Sequence, residues 1–458
     1  MPRRLACTLL LAACEPAAPQ GPPSAPTADV QRDACLARHD DVPPRYLGLV
    51  RAFCSEHARL GGIGASLAIA EHGVLQYTAT TGQRCAHGDP VTIDTAFRVG
   101  SVTKLLTAAL ALDLADDHLI DLDAPLLELT DHPDPRARAI TTRQLLTHTS
   151  GLPDLAPHAT PDAPWRTTLA ARPLWTAPGA LWSYSNAGYA LVGAALERLT
   201  DRPYQALLAD RLLAPLHLEH TTADRDQALR DLAACGHVGR GADAIALDVR
   251  QDLDIGARGA TWTIPAGGVI ASAPDLVALV LGLHAPARSP LSPRAITTLF
   301  TADVPTHDRP GERQAPGLRA EPLPAGDPLY RLSGRTGDFA ADLSFAPDRG
   351  FVLVVLSNTG DPLGATLAAG HDLLGLRPSA APPATPPHYT GRYRLPDLGE
   401  HVVTADPLAL DGAPLIHLGD HRFRSESPPL TITFVFTADA AHATHLRARA
   451  WVATHAPG

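Results

Sequence analysis

Lysine is nearly absent from this chain. Lys104 is the only lysine in 458 residues, and the rest of its 38 basic residues are arginine. Lysine and arginine share a positive charge and a long stem, so neither charge nor packing explains why one lysine remains. They differ in how readily they lose a proton. Arginine stays protonated in a protein, whereas a buried lysine can be neutral near pH 7 and accept a proton. The composition therefore indicates a proton acceptor at Lys104; the alternative is the chance survival of a surface lysine.

Long apolar runs and an excess of basic charge are also missing. Beyond residue 14 the sequence has no apolar run of the roughly 18 residues or more that a membrane-spanning helix requires. The formal net charge of −10 argues against a nucleic-acid partner. His217 and His220 are weakly similar to a metal motif, but a zinc site needs further ligands in a defined geometry. We therefore expect no metal and no other cofactor.

The first fourteen residues are typical of a targeting segment. Arg3 and Arg4 precede a short apolar run that ends in "LAAC", whose last residue is Cys14. This tetrapeptide resembles the lipobox of bacterial lipoproteins, and an ordinary signal peptide cleaved nearby is the alternative. We expect residues 1–14 to be a lipoprotein signal with lipidation at Cys14. The protein would then be exported and lipid-anchored to a bacterial envelope membrane, which is the outer membrane in a Gram-negative host.

Two proline-rich segments divide the rest of the chain. Residues 15–28 hold five prolines and no apolar side chain larger than alanine, so they cannot build a core. We expect a disordered tether and N-terminal arm over residues 15–43. A second such segment predicts a linker at 376–388, between a large domain at 44–375 and a C-terminal domain at 389–458.

Four cysteines follow the signal segment. An even number in an oxidising compartment favours disulfides, and four cysteines allow three pairings. Cys35 with Cys54 is the first choice, because both lie in the N-terminal arm and the first helix. Cys85 would then pair with Cys235.

The hydrophobic pattern over residues 44–375 predicts an α+β domain. Helical spacing over 44–60 precedes two apolar stretches around "EHG" at 71–73, which indicate a β-hairpin. A helix that opens at Ser101 and a mainly helical region over 118–235 follow. The strands "DFAADLSFAP" and "GFVLVVLSN" and a helix near 362–374 complete an antiparallel sheet flanked by helices, with an all-helical insertion. The short alternating stretches of 389–458 predict a small antiparallel sheet or barrel.

Ser101 and Lys104 lie one helical turn apart and therefore share a helix face. A neutral lysine amine in that position could take the proton of the serine hydroxyl as the oxygen attacks a carbonyl carbon. The Ser-x-x-Lys pattern alone is weak evidence, because a serine near a helix start is most often a cap. Other residues must take part.

Three further stretches carry a resemblance to a known family. They are "DTAFRVGSVTK" at 94–104, "TTRQLLTHTSGLPD" at 141–154 and "PGALWSYSNAGYALVGAALERL" at 178–199. In this order they are similar to landmarks of the serine β-lactamase and penicillin-binding-protein family, especially its class C β-lactamase, D-alanyl-D-alanine carboxypeptidase and esterase branch. The resemblance covers residues 46–375 and implies a β-lactamase-like fold. Residues 389–458 are similar to the small β-barrel that often follows this domain.

The resemblance implies roles for four residues. Ser101 would be the nucleophile, Lys104 its proton acceptor or relay, Tyr184 a phenol that shares base and acid duties, and Asn186 an amide that orients the substrate. Tyr184 as a core aromatic and Asn186 as a helix cap are the structural alternatives. We assign His148 to turn structure.

The family's third motif, a strand with Lys-Thr-Gly or His-x-Gly, is altered in this chain. We place it at Arg335, Thr336 and Gly337, as substrate-binding residues. Arg335 keeps the positive charge and could bind a substrate carboxylate through two hydrogen bonds. The backbone N–H of Asp338 would join that of Ser101 in the oxyanion hole. The carboxylate of Asp338 is unexpected there unless Arg335 or another cation neutralises it.

These residues predict an exported serine hydrolase that acts through an acyl-enzyme on an amide, β-lactam or ester carbonyl. Its partner would be a small-molecule or peptide substrate, and a peptidoglycan stem peptide is one candidate. The altered third motif supports an alternative, a non-catalytic lipoprotein that binds cell-wall peptide or a protein partner through the same cleft.

Overall fold

The computed structural model describes the chain from residue 27 to residue 456, with gaps. The described ranges are 27–86, 88–129, 132–155, 164–230, 233–238, 240, 244–246, 261–309, 311–324, 326–336, 338–373, 375, 389–395, 399–405, 408–419, 421–426, 429–435, 443–448 and 451–456. The predicted signal with Cys14, the predicted linker at 376–388 and Gly337 lie outside them.

The strands form two large assemblies and two small sheets. In chain order they are β1 (Gly64–Glu71), β2 (Val74–Gly82), β3 (Phe97–Arg98), β4 (Thr221–Thr222), β5 (His237–Val238), β6 (Ile245–Ala246), β7 (Ile270–Ala271), β8 (Val304–Pro305), β9 (Arg313–Ala315), β10 (Leu318–Glu321), β11 (Leu329–Thr336), β12 (Phe339–Ala346), β13 (Phe351–Ser357), β14 (Gly391–Leu395), β15 (Gly399–Thr404), β16 (Ala409–Leu410), β17 (Ala413–Gly419), β18 (Arg422–Glu426), β19 (Pro429–Val435), β20 (His445–Ala448) and β21 (Trp451–Ala456). The main sheet is antiparallel with the order β2-β1-β13-β12-β11-β10-β9-β8. The strands β14 to β21 close a barrel.

The α-helices flank the main sheet and fill the region between β3 and β7. In chain order they are α1 (Ala28–Ala37), α2 (Leu47–Arg59), α3 (Thr103–Asp116), α4 (Thr142–Leu146), α5 (Trp165–Ala170), α6 (Asn186–Thr200), α7 (Tyr204–Leu208), α8 (Arg225–Arg230), α9 (Ile264–Gly267), α10 (Ala273–His284), α11 (Pro293–Phe300) and α12 (Gly364–Asp372). The predicted α+β class, hairpin, helix that opens near Ser101, paired strands and closing helix are confirmed. None of the described helices is long and apolar enough to span a membrane.

The central strands separate two apolar cores. Every residue of β1, β12 and β13 is buried, because helices cover both faces of the sheet. Side chains alternate along a strand, so Leu67 packs in a core with α1, α2 and α12, whereas Ala68 packs in the larger core with the inserted helices. The helix α3 is buried from Thr103 to Leu114, as its nearly uninterrupted apolar composition requires.

Both predicted disulfides are present. Cys35 pairs with Cys54 and Cys85 pairs with Cys235. The first bridge ties α1 to α2, and α1 lies in the predicted N-terminal arm. The capping residue Thr27 starts this helix by accepting a hydrogen bond from Val30 N.

Candidate active site

Ser101 lies in a tight turn at the start of the buried helix. The 3₁₀ turn Gly100–Val102 leads directly into α3. Gly100 has a φ of 50°, a left-handed conformation that glycine adopts without strain. The turn leaves Ser101 half-buried while the helix behind it is enclosed. A hydroxyl in this position can be reached by a substrate and still be held by a rigid element.

Lys104 is buried beside Ser101, one turn along the same face. Its side chain is 2% exposed, so the surface-lysine alternative is wrong. The Nζ atom donates to Asn186 Oδ1 at 2.8 Å and to the Ala266 carbonyl at 2.7 Å, and lies 3.4 Å from Ser101 Oγ. It also lies 4.7 Å from the centre of the Tyr184 ring. These contacts fix the amine between the serine, the amide and the phenol.

Tyr184 brings its hydroxyl to the serine. The two oxygens, Tyr184 Oη and Ser101 Oγ, are 2.5 Å apart. The segment that carries Tyr184 is held on both sides by His148, because Ser183 N donates to the His148 carbonyl at 2.7 Å and Ser185 N donates to His148 Nδ1 at 3.2 Å. The imidazole also packs 4.5 Å from the Tyr184 ring. His148 has a φ of 57°, which confirms the turn assignment, and the structure adds the role of positioning the phenol.

Asn186 is the first residue of α6 and is not its cap. Ser185 caps the helix by accepting from Gly188 N, so the helix-cap alternative for Asn186 is wrong. Asp154 fixes the orientation of the amide: it accepts from Asn186 Nδ2 at 2.9 Å and from Asn186 N at 2.7 Å. With Nδ2 held in this way, Oδ1 faces Lys104. Asp154 is a site residue that sequence reasoning missed, although it is the last residue of the landmark "TTRQLLTHTSGLPD".

The surroundings of Asp154 act on its pKa in opposite directions, and the net effect is to raise it. Burial raises the pKa of Asp154, while the hydrogen bonds from the backbone of Asn186 and the charge of Lys104 act in the opposite direction. The carboxylate also lies at the N-terminus of α6, where the helix dipole stabilises negative charge.

We expect Asp154→Asn to lower the rate of Ser101 acylation by about tenfold or more. An amide at 154 offers one acceptor fewer, so the Asn186 amide loses the contact that keeps its oxygen toward Lys104. The measurement is the rate of covalent labelling at Ser101. Asp275→Asn is the matched control, because Asp275 lies in the first turn of a helix outside the site and its carboxylate also accepts hydrogen bonds, from His220 N and Thr221 Oγ1. Equal rates in the two variants would contradict the positioning role of Asp154.

The strand β11 contacts the turn that carries Ser101, at Gly334 and Arg335. A Cβ atom on Gly334 would lie 1.8 Å from the Val99 carbonyl oxygen and 3.0 Å from Ser101 N. A Cβ on Gly100 would lie 3.0 Å from Arg335 N. Gly334 is therefore the glycine that permits the close approach, three residues before the Gly337 that the sequence motif indicates.

The Arg335 side chain is bound to the sheet. Its Nη2 donates to Asp342 Oδ2 at 2.9 Å, and its Nη1 donates to the carbonyls of Gly334 and Ala341 at 2.6 and 3.0 Å. Burial raises the pKa of Asp342, and the charge of Arg335 and a hydrogen bond from Ser333 counteract this effect. Arg335 is therefore held by Asp342 and by backbone carbonyls of the sheet, and its contact with a substrate carboxylate stays a prediction.

Thr336 and Asp338, the other described residues of the predicted third motif, lie where β11 ends and the turn to β12 begins. Thr336 is half-buried, and its Oγ1 has no hydrogen-bond partner among the described residues. Asp338 is half-buried in the turn before β12. Neither lines the cleft described next, as far as the described residues define it.

A cleft of about 190 Å³ opens in front of Ser101. Its floor is formed by Ser101, Lys104, His148, Tyr184 and Leu332. Its outer wall is strongly polar and comes from the segments around β9, β10 and β11: Arg309, Glu312, Gln314, Gly317, Arg319, Glu321, Arg331 and Ser333. No described group of three or more His, Cys, Asp or Glu side chains could hold a metal ion. The cleft therefore combines a serine, amine and phenol with a wall of paired charges.

This arrangement agrees with the comparison to known families. A sequence model of the Beta-lactamase family matches residues 49–376. The chain therefore belongs to the β-lactamase family, as the three landmarks indicate. Members of this family include serine hydrolases that act on β-lactams and on D-alanyl-D-alanine peptides.

Similar curated proteins carry several names. The chain is 32% identical over 188 residues to penicillin-binding protein 4 of Amycolatopsis lactamdurans, which covers 38% of this chain and 49% of that protein. It is 32% identical over 146 residues to the D-alanyl-D-alanine-carboxypeptidase/endopeptidase AmpH of Escherichia coli (strain K12), covering 28% and 37%. A probable fimbrial assembly protein FimD of Dichelobacter nodosus is 38% identical over 132 residues, covering 26% and 34%. The matches thus span about a third to a half of these relatives.

Solved structures match over more of the chain. SurE aligns with a TM-score of 0.69 and 27% identity, covering 94% of this chain and 100% of that one. The octameric penicillin-binding protein homologue of Pyrococcus abyssi aligns with a TM-score of 0.64 and 21% identity, covering 88% and 98%. A class C β-lactamase aligns with a TM-score of 0.62 and 18% identity over 74% of this chain and 97% of that one. The last two likenesses support the fold alone.

Proposed function

We propose that this protein is a serine hydrolase that forms an acyl-enzyme at Ser101. The observation that carries the proposal is the convergence of Tyr184 Oη and Lys104 Nζ on Ser101 Oγ, at 2.5 and 3.4 Å. A serine hydroxyl is a weak nucleophile until a neighbouring base takes its proton, and the phenol and the amine are the groups placed to do so.

The reaction follows from these contacts. Ser101 Oγ attacks the carbonyl carbon while its proton passes to the Tyr184 and Lys104 pair. The tetrahedral intermediate then collapses, and the same pair returns the proton to the leaving group. Asn186 holds the amine by accepting from Nζ, and orients the substrate amide or ester. In the second half of the reaction, water attacks the acyl carbonyl carbon and gives its proton to the Tyr184 and Lys104 pair. The pair then returns the proton to Ser101 Oγ as the ester bond breaks and the acyl group leaves as a carboxylic acid.

We propose that the third motif is Leu332, Ser333 and Gly334, and that Arg335 N–H is the second oxyanion donor beside Ser101 N–H. This proposal replaces the assignment to Arg335, Thr336 and Gly337. It is supported by the approach of Gly334 and Arg335 to the turn of Ser101. Leu332 then occupies the place of the family's lysine or histidine, so the motif itself brings no charge to the substrate.

The substrate proposed here is a polar peptide, with the peptidoglycan stem peptide as the leading candidate. Arg309 and Arg331 both pair with Glu321 on the wall of the cleft, and Arg319 pairs with Asp308. Such a wall offers charged hydrogen-bond donors and acceptors to a substrate with its own charges. A small apolar ester would offer no polar groups to these charged side chains.

The test is a substrate panel of nitrocefin, a D-Ala-D-Ala peptide and p-nitrophenyl esters, with Ser101→Ala as the control. Turnover or covalent labelling by a fluorophosphonate or a penicillin that disappears in Ser101→Ala supports the enzyme. Peptide binding without any labelling of Ser101 would support the alternative, a non-catalytic binding protein.

Tyr184→Phe should lower turnover by roughly a hundredfold or more, because that is the usual scale for a lost general acid or base. The ring and its packing against His148 remain, and only the hydroxyl beside Ser101 Oγ is removed. Tyr204→Phe is the matched control, since it removes a buried hydroxyl that binds Thr107 away from the serine. Turnover of Tyr184→Phe close to that of Tyr204→Phe would return Tyr184 to a packing role.

We also propose that the protein is exported and anchored through a lipid on Cys14. The lipobox-like "LAAC" and the two disulfides, which persist in oxidising compartments, support this proposal. Intact-mass analysis of the membrane fraction should show a diacylglyceryl adduct. A mature form that starts elsewhere and lacks the adduct would refute it.

A further inference from the structure

Arg447 belongs to the C-terminal barrel but is buried against the main domain (residues 44–375). It lies on β20, and its side chain is 0% exposed. Its Nη1 donates to the Thr306 carbonyl at 2.6 Å and to Asp308 Oδ1 at 2.9 Å. Removing a guanidinium from water is unfavourable unless partners compensate its charge, so the burial of an arginine at this domain contact calls for a specific role.

The guanidinium of Arg447 lies over the indole of Trp182. Its Cζ is 4.7 Å from the centre of the ring, and Arg319 Cζ is 4.9 Å from the same ring. The Nε and Nη2 atoms of Arg447 are buried and have no hydrogen-bond partner among the described residues. The π face of the indole is therefore the group that compensates them. Trp182 is fully buried, and its Nε1 donates to Gln314 Oε1 at 3.1 Å.

Trp182 is linked to Tyr184 through the backbone and through His148. It lies two residues before Tyr184 on the extended segment that His148 holds. The Trp182 ring also packs edge-on against the His148 ring, with centres 5.8 Å apart. A shift of the indole would therefore move both the backbone of Tyr184 and the imidazole that packs on its ring.

The same arginine also fixes the outer wall of the cleft. Asp308 accepts from Arg447 through Oδ1 and pairs through Oδ2 with Arg319 at 3.0 Å. Arg319 lines the cleft. Both contacts of Arg447, with the indole and with the carboxylate, thus lead to groups that face the substrate.

From these contacts we infer that Arg447 is a positioning residue, through which the C-terminal barrel completes the active site of the main domain. The inference rests on the proposed function of Ser101 and Tyr184. It assigns to the barrel a part in catalysis: the barrel holds Trp182, and Trp182 holds the phenol at the distance that proton transfer from the serine requires.

The test compares Arg447→Met with Arg422→Met. Arg422 is the matched control, because its Nη1 also donates across the domain contact, to the Asp308 carbonyl at 2.6 Å. Arg447→Met should lower kcat and the acylation rate by about ten- to a hundredfold, the scale of a small misplacement of a catalytic group. Arg422→Met should stay within about threefold of wild type at a similar melting temperature. Equal effects of the two variants would overturn the inference.

A double-mutant cycle with Trp182→Phe identifies the path of the effect. If Arg447 acts through the indole, Arg447→Met in the Trp182→Phe background should add little further loss, whereas independent effects would multiply. If the activity losses of the two substitutions multiply in the double mutant, Arg447 does not act through Trp182. A loss confined to KM, with kcat unchanged, would likewise contradict a role in positioning the phenol.

Fluorescence separates this inference from the proposed function. The emission of Trp182 is obtained as the difference between wild type and Trp182→Phe. Arg447→Met should change that emission, and Arg422→Met should not, whether or not Ser101 is acylated. An unlabelled wild-type Ser101 would refute the proposed function, and with it the catalytic part of the inference, even if the emission of Arg447→Met changes. Unchanged emission in Arg447→Met would refute the inference and leave the proposed function standing.

Discussion

Replacing Lys104 by arginine should abolish the acylation of Ser101, with a loss of roughly a thousandfold or more. The charge and the long stem remain, but arginine cannot accept the serine proton at any ordinary pH. The planar guanidinium must also fit where Nζ now lies between Asn186 Oδ1 and the Ala266 carbonyl, in a site that is 2% exposed. The measurement is the acylation rate with a reagent that labels Ser101.

Arg335→Lys is the reciprocal control for this exchange. A lysine at 335 can keep the ion pair with the buried Asp342, so its acylation rate should stay within about tenfold of wild type. Thermal melts of both variants exclude misfolding as the cause. An active Lys104→Arg enzyme would mean that the sole lysine is an accident of composition. A folded but inactive Arg335→Lys enzyme would show that the guanidinium of Arg335 has a role that a lysine ammonium cannot fill.

Gly334→Ala should be almost as damaging, with a loss of acylation of about a hundredfold or more. Its methyl group would lie 1.8 Å from the Val99 carbonyl oxygen, so β11 must move away from the nucleophile's turn. That movement carries Arg335 N–H out of the position proposed for the oxyanion. The expected result is a folded protein whose nucleophile is intact but whose intermediate is not stabilised.

Gly48→Ala is the control for the added methyl group. A Cβ at this position in α2 meets nothing within 4 Å, so the substitution should be neutral or slightly stabilising. Acylation of Gly334→Ala at the wild-type rate would contradict the assignment of the third motif to residues 332–334. The third motif and the second oxyanion donor would then have to be sought at Gly337 and Asp338.

Local patterns in the sequence predict much of this structure. The helix after Ser101 is almost uniformly apolar, and the strand β13 is a nearly continuous apolar run, so their burial follows from composition. The turn of the first hairpin is marked by Gly73, whose φ is 74°. The meeting of Ser101, Lys104, Tyr184 and Asn186 was predictable through the order of the three landmarks.

The third motif was not predictable in the same way. "SGRTGDF" contains two glycines three residues apart, and either could serve as the close contact of the strand. Only the pairing of Gly334 with Ala341 in the sheet, and its approach to Val99, decide between them. The partner of Arg335 is likewise hidden in the sequence, because Asp342 lies on the neighbouring strand.

Contacts between distant segments could not be predicted from the sequence either. Arg447 reaches Trp182 across 265 positions of chain, and no local pattern connects an arginine in a barrel strand to an indole before the phenol. Asp154 had a weaker signal, since it stands inside a recognised landmark, but its partner Asn186 depends on how α6 packs. Such positioning residues are visible only when the elements have been assembled.

The bridge between Cys85 and Cys235 turns most of the active site into one covalent ring. The two cysteines are 150 positions apart, and Ser101, Lys104 and Tyr184 all lie between them. A single cut by a protease anywhere inside this ring opens a loop but releases no fragment, so the nucleophile and its proton acceptors stay on one molecule. Reduction before the cut would remove that protection and allow the pieces to separate.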